Sequence, residues 1–218
     1  MCLSQALIHG DFHTGSVMVT EESSFVIDPE FAFYGPIGFD VGALVGNFLL
    51  AFFSQDGHPP KEEEEEEESD GGGDPTSSAA LGYKAVILNQ TKEILEGFLS
   101  KFKGVWDEDY NQKKQEESVV GTSTHPHQFF VSQDEQFEAC QVDYLERISS
   151  DSIGFAGCKM IRRILGIAHV EDLDSIQDEN IRSECEKKAL RCAREMVVNA
   201  NTLCANNFNS LWELVEKS

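Results

Sequence analysis

The chain has 218 residues and a mass of 24.3 kDa, room for one good-sized core or a core plus an appendage. Its 39 Asp and Glu against 17 Lys and Arg leave a net charge of −22, which argues against nucleic-acid backbone or an anionic membrane surface as a partner, since both need clustered cations. No apolar run reaches the ~18 residues that span a bilayer, and Met1-Cys2-Leu3-Ser4-Gln5 has neither the basic nor the long apolar region of a signal peptide. A cytoplasmic, reducing setting is the expectation.

The first 53 residues are rich in apolar side chains and glycine. Val17-Met18-Val19-Thr20 and Phe25-Val26-Ile27 are β-prone runs joined by Glu21-Glu22-Ser23-Ser24, the pattern of a small hairpin. Val41, Leu44, Val45, Phe48, Leu49 and Phe52 then recur at helical spacing behind Asp40, a good N-cap residue. At about 14 residues that helix is too short for a bilayer and suits the centre of a helical core.

A low-complexity insertion follows at about 55–80. Its tract Lys61–Asp74 contributes −8 of the net charge, and seven consecutive glutamates between Pro and Gly flanks predict disorder. We read it as a tolerated surface insertion, with no need of a partner for the acidic run. Helices are predicted over Leu81–Val105, Asp134–Ser150, Ser152–Gly166, Asp178–Ala200 and Asn209–Lys217, with a polar loop at about 112–128. Ile181, Cys185, Ala189, Cys192 and Met196 form one apolar stripe. The expected fold class is α+β, mostly α. The six cysteines (Cys2, Cys140, Cys158, Cys185, Cys192 and Cys204) lack zinc-site spacing and are too sparse for a disulfide scaffold, so they read as buried thiols.

The chemistry concentrates in Ile8-His9-Gly10-Asp11-Phe12-His13-Thr14-Gly15-Ser16-Val17 and Val26-Ile27-Asp28-Pro29-Glu30-Phe31. His9 and His13 would need a helix, and a Glu where Gly10 stands, to form a zinc site. No phosphate-cradling G-x-x-x-x-G-K-[ST] is present. Turn chemistry explains Gly10, Asp11 and Gly15 singly but not the ensemble.

A phosphoryl-transfer reading explains more. Kinase-type catalytic loops run H-x-D, then an Asn five residues past the Asp, then a hairpin, then a magnesium-holding Asp. His9-Gly10-Asp11 fits the first element, Ser16 stands where the Asn is expected, and Asp28 follows the hairpin, 17 residues beyond Asp11. Pro29 is expected to keep Asp28 extended, so that Asp28 and Glu30 project to one side and converge on a hard cation. Lys159, Arg162 and Arg163 fall at i, i+3 and i+4, a basic helical face in an acidic protein, which favours a functional over a merely solvated reading.

His9–Ser16, Ile27–Gly42 and Gly157–Val170 together resemble 5-methylthioribose kinase, a family among the aminoglycoside phosphotransferase and choline kinase relatives of protein kinases. The likeness covers most of the chain outside the insertion and the polar loop. It implies the C-terminal lobe of a protein-kinase-like fold over residues 1–218, whose small β-hairpin carries the catalytic and metal loops. It further implies ATP-dependent phosphorylation of S-methyl-5-thio-D-ribose at the 1-hydroxyl, in methionine salvage. Asp11 would act on that hydroxyl, Asp28 and Glu30 would hold Mg2+, Pro29 and Ser16 would line the nucleotide-metal site, and Arg162 and Arg163 would bind substrate. Asp40 would hold the catalytic-loop backbone, beside its simpler reading as an N-cap. The partner implied is a small-molecule sugar, with neither nucleic acid nor membrane, and the resemblance allows a homodimer. Only eight residues precede His9, so the N-terminal lobe with its Gly-rich loop and Lys has no place here, and the chain alone is expected to be inactive. The alternatives are a non-catalytic binding fragment and another small-molecule kinase of the aminoglycoside or choline type.

Overall fold

A computed structural model describes residues 5–58, 75–120, 133–167 and 171–218. Within them the chain is mostly helical with a few short strands, as expected of an α+β protein. Met1–Ser4, the acidic run Glu62–Glu68, residues 121–132 and His169 lie outside the described residues.

Among the described residues, four strands form two antiparallel pairs. β1 (Ala6–Ile8) pairs with β4 (Phe33–Gly35), Ala6 opposite Gly35. β2 (Val17–Val19) pairs with β3 (Ser24–Val26), Val17 opposite Val26, which is the predicted hairpin. Thr20 closes the turn, donating its N–H to the Ser23 carbonyl at 2.8 Å and accepting the Ser23 N–H on its hydroxyl at 3.0 Å.

Helix α1 (Gly38–Ser54) is central, touching α2 (Pro75–Val120), α3 (Gln133–Leu165), the short α4 (Glu171–Asp174) and α5 (Glu179–Val198). Val45, Leu49, Leu50 and Phe53 are essentially inaccessible and join Leu95, Ile153, Met160 and Met196 in one core. Because side chains are buried all round, the apolar character of α1 is that of a core helix. Together with the turn that follows it (Gln55–Gly57), α1 is also long and apolar enough to cross a membrane by length and composition, but 61% of that stretch is buried within the fold.

Gly42 and Gly46 let α1 and α3 meet backbone to backbone. A Cβ at Gly42 would stand 2.4 Å from the Ser152 carbonyl oxygen, and one at Gly46 would stand 2.9 Å from that of Ala156. Helix axes approach this closely only where side chains are missing from the contact. The α5 stripe is buried at Cys185, Ala189, Cys192 and Met196, and opens to solvent at Ile181 in the first turn. The short α6 (Ala200–Leu203) and the terminal α7 (Asn209–Lys217) complete the helical layer, α7 spanning the predicted residues.

Several sequence expectations are corrected. The break expected at Asp151 is absent, and α3 runs through as one helix. Ser149 and Ser152 turn their hydroxyls back onto the Leu145 and Ile148 carbonyls at 2.8 and 2.7 Å, so these cap-forming residues are absorbed inside the helix. Within the expected 55–80 insertion, Gln55–Gly57 forms a 3-10 turn and α2 begins at Pro75; residues 59–74 lie outside the described residues. The polar loop likewise gives way to helix as far as Val120, supported by Lys113–Asp109 at 2.7 Å and Lys114–Asp134 at 2.6 Å. The thiols of Cys140 and Cys158 are exposed, because α3 is packed on one side only at those positions; Cys185 and Cys192 are buried and Cys204 is half-buried.

Candidate active site

The loop from His9 to Ser16 leaves β1 and is pinned to α1 at both ends. Asp40 lies inside the first turn of α1, with Ile37 at the N-cap position, so it does not cap the helix. Its carboxylate instead accepts the backbone N–H of His9 at 2.5 Å and of Gly10 at 3.0 Å. Two turns along, Asn47 Oδ1 accepts the Thr14 N–H at 3.1 Å and the Thr14 hydroxyl at 2.6 Å. Asp40 and Asn47 are seven positions apart and share one face of the helix.

The second loop, Asp28–Phe31, is clamped against the first. Gly10 has φ +86° and a Cβ there would sit 2.2 Å from the Phe31 carbonyl oxygen, so both its conformation and its neighbour require glycine. The His9 ring donates from Nε2 to the Ile27 carbonyl at 2.8 Å and receives the Asp11 N–H on Nδ1 at 3.4 Å, a pair that places the ring proton on Nε2. Ser16, 3% exposed, donates its hydroxyl to the Asp11 carbonyl at 3.2 Å and accepts the Ile27 N–H on its own carbonyl at 3.0 Å. These bonds fix the backbone of Asp11 relative to the strand that delivers Asp28.

The Asp11 carboxylate is partly open to solvent and faces a lysine on one side and a histidine on the other. Lys159 Nζ lies 3.6 Å from Oδ1 and His13 Nε2 lies 4.0 Å from Oδ2. His13 is steered by the Gly15 N–H, which donates to its Nδ1 at 3.1 Å. Phe12, Ala43, Leu50 and Arg163 border the same small cleft. The Lys159 ammonium packs 4.7 Å over the Phe39 ring. Burial pushes its pKa below the ordinary lysine value; the Asp11 charge opposes that, while the charges of Arg162 and Arg163 add to it.

The structure thus brings Asp11, Lys159 and Arg163 to one cleft, with Ser16 behind the Asp11 backbone. Arg162 projects to solvent one residue on, as expected of adjacent helical positions. Asp28 and Glu30 are both exposed on the second loop. The extended backbone expected at Asp28 is not found: its φ is +66°, in the left-handed region that Asp tolerates better than most residues. Convergence of Asp28 and Glu30 by strand alternation therefore does not hold. Among the described residues no three His, Cys, Asp or Glu side chains gather as a closed metal cage. Magnesium bound beside a nucleotide takes only one or two carboxylates and completes its shell with phosphate oxygens and water. The open carboxylates of Asp28 and Glu30 suit that donor set.

Sequence reasoning placed Lys159 on a basic face without pairing it with Asp11, and it passed over Asn47. The signal for Lys159 was present in its spacing to Arg163. That for Asn47 was a polar side chain in the middle of the apolar run between Asp40 and Ser54.

The family model of the Phosphotransferase enzyme family matches residues 3–76. Methylthioribose kinase 1 of Oryza sativa subsp. japonica is 41% identical over 196 residues, which is 89% of this chain and 40% of the relative. Methylthioribose kinase of Escherichia coli O45:K1 is 36% identical over 200 residues, 92% of this chain and 42% of the relative. The chain spans about two-fifths of the length of the curated relatives it matches. Over some nine-tenths of its own length it is similar to the methylthioribose kinases, and the resemblance read from its motifs stands.

Proposed function

We propose that this chain supplies the acceptor and metal side of an ATP-dependent kinase that phosphorylates S-methyl-5-thio-D-ribose at its 1-hydroxyl, a cytoplasmic step of methionine salvage. One observation carries the reading. The Asp11 carboxylate is open to a cleft shared with Lys159 and Arg163, on a loop locked from behind by Asp40 and Asn47. A carboxylate held rigidly with one side free is what orienting an acceptor hydroxyl requires.

On this reading Asp11 takes the proton of the 1-hydroxyl. Asp28 and Glu30 hold the magnesium that neutralises the ATP phosphates, with Pro29 bracing the turn between them. Ser16 serves that site from behind, by fixing the backbone of Asp11 against Ile27. Arg163 and Arg162 bind substrate, Arg163 from within the cleft and Arg162 from its rim. The two strand pairs and the helical layer correspond to the C-terminal lobe of a protein-kinase-like fold. The exposed apolar side chains of Met18, Val19, Phe25 and Val26 fit a surface that a further lobe covers. A homodimer is compatible with the reading.

The test joins this chain to the part of the rice relative it does not match and follows the sugar 1-phosphate by phosphorus NMR in the presence of Mg·ATP. Product is expected from the parent, and Asp11→Asn is expected to lower turnover by at least about a hundredfold while sparing nucleotide binding. Full turnover in Asp11→Asn would overturn the role of Asp11. A parent that phosphorylates choline or an aminoglycoside, and not methylthioribose, would overturn the substrate.

A further inference from the structure

Among the described residues the nearest Lys or Arg charge to Asp11 is Lys159 and neither of the two arginines, and that contact is longer than the other lysine–carboxylate pairs, of which only Lys92–Glu216 at 3.4 Å comes near it. Lys84–Asp56, Lys113–Asp109 and Lys103–Asp107 close to between 2.5 and 2.7 Å, within hydrogen-bond reach. Lys159 and Asp11 stop at 3.6 Å. An ammonium has three N–H donors, and at that distance its attraction to Asp11 is chiefly that of charge, which leaves its donors for another acceptor. Its position is nonetheless well fixed. The side chain is 13% exposed and lies along the Phe39 ring, which itself meets Phe155 edge-on at 5.2 Å. Lys159 also stands one helical turn beyond Ala156, where α3 touches the α1 backbone at Gly46. A desolvated charge held in place acts more strongly on its neighbours than one in water, and costs no reorganisation during reaction.

We infer that Lys159 is a further catalytic residue, whose ammonium group contacts the phosphoryl group as it reaches the acceptor oxygen. The inference rests on the proposed kinase reading. In the step, the acceptor O–H bond breaks and its proton passes to the Asp11 carboxylate. A P–O bond forms to the acceptor oxygen while the bond from the terminal phosphorus to its bridging oxygen breaks, and the nucleoside diphosphate leaves with that electron pair. An acceptor oxygen within hydrogen-bond reach of Asp11 places the oxygens of the arriving phosphoryl group within a few ångströms of Lys159 Nζ. There the ammonium offsets charge on the transferring group.

The test does not require turnover. Calorimetry on the 218-residue chain compares methylthioribose with its 1-phosphate in the parent, Lys159→Met and Lys159→Arg. Lys159→Met is expected to bind the 1-phosphate about tenfold or more weakly and the unphosphorylated sugar within about twofold of the parent, with Lys159→Arg between them on the phosphate. In the fused enzyme, Lys159→Met is expected to lower kcat while leaving the nucleotide KM unchanged. Equal affinity of parent and Lys159→Met for the 1-phosphate overturns the inference and leaves the kinase reading intact. Parallel loss of both ligands in a folded variant overturns it in favour of a purely structural lysine. A parent that binds neither sugar nor sugar phosphate defeats the kinase reading itself.

Discussion

Asp40 holds Gly10 by its backbone N–H at 3.0 Å, thirty positions apart in the chain. The same carboxylate takes the N–H of His9, so one side chain of the core helix fixes the two residues immediately before Asp11. Position in the first turn of α1 adds a favourable interaction between this negative charge and the helix N-terminus.

Asp40→Ala would leave two half-buried backbone donors without their acceptor. Hydrogen bonds to a charged acceptor are worth roughly 1.5–3 kcal/mol each, and partial rescue by water brings the expected loss to about 2–3 kcal/mol. For a chain of this size that is a fall of about 4–12 °C in melting temperature. Asp40→Asn keeps one acceptor oxygen and should fall between parent and Ala. A melting temperature unchanged in Asp40→Ala would show that the loop does not depend on this contact.

Gly42→Ala tests the contact between the helices. The added methyl group would meet the Ser152 carbonyl oxygen at 2.4 Å, and backbone cannot step aside as a side chain can. Overpacking of this kind costs about 1–3 kcal/mol, despite the better helix propensity of alanine. Denaturant unfolding measures it; a stabilised variant would mean that α1 and α3 slide apart freely.

Asp56 joins Lys84 at 2.5 Å and Lys188 at 2.7 Å, fastening the end of α1 to α2 and α5. Burial alone would raise its pKa, but hydrogen bonds from Lys188 and Lys84 outweigh burial and hold it below the usual Asp value. A depressed folded-state pKa stabilises above the unfolded value and is lost as pH falls through the folded one. The stability difference between parent and Asp56→Asn should therefore be flat from about pH 7 to about pH 5 and should shrink below about pH 4. Thermal melts across that range decide it, and a difference that grows on acidification contradicts the assignment.

Cysteine reactivity should divide along the burial boundary. Burial pushes the Cys192 thiol up to about 12 and raises Cys185, whereas Cys140 and Cys158 are exposed on α3. Because the thiolate is the reactive form, iodoacetamide at neutral pH should label Cys140 and Cys158 in the native protein and reach Cys185 and Cys192 only after unfolding. Peptide mass spectrometry reads the order directly; early labelling of Cys192 would mean that the core opens readily.

On the proposed reading, Glu30→Ala should raise the magnesium concentration needed for half-maximal activity in the fused enzyme, with little change in melting temperature. Glu30 is an exposed loop carboxylate, so its loss leaves no buried partner behind. An unaltered magnesium titration counts against its ligand role.

Much of this was legible in the residues. Two β-prone runs around a polar turn gave the β2–β3 hairpin, whose side chains are largely exposed, while period-3.6 runs gave α1 and α5, because that pattern reflects which side chains must face the core. Ser149-Ser150-Asp151-Ser152 misled, since the same hydroxyls that cap a helix can bond back inside one, and only packing against α1 decides between the two. Asp40 was ambiguous for a related reason: a carboxylate near a helix start satisfies local or distant N–H groups equally well. Asp28 defied the rule for residues before proline, with left-handed backbone at φ +66° that no local residue pattern marks. Lys159 beside Asp11 is a contact between distant segments that no local pattern encodes.

The double attachment of the His9–Ser16 loop also bears on which lengths of that segment are admissible. Seven residues of α1 separate Asp40 from Asn47, a rise of about 10.5 Å. The four peptide steps from Gly10 to Thr14 reach at most about 14 Å when drawn straight. Removing one residue would cut that reach to about 10.5 Å, leaving no slack for the turn in which Asp11 sits. The helix acts as a ruler, so the segment can accept exchanges of side chain far more readily than a deletion, which would have to break one attachment to keep the other.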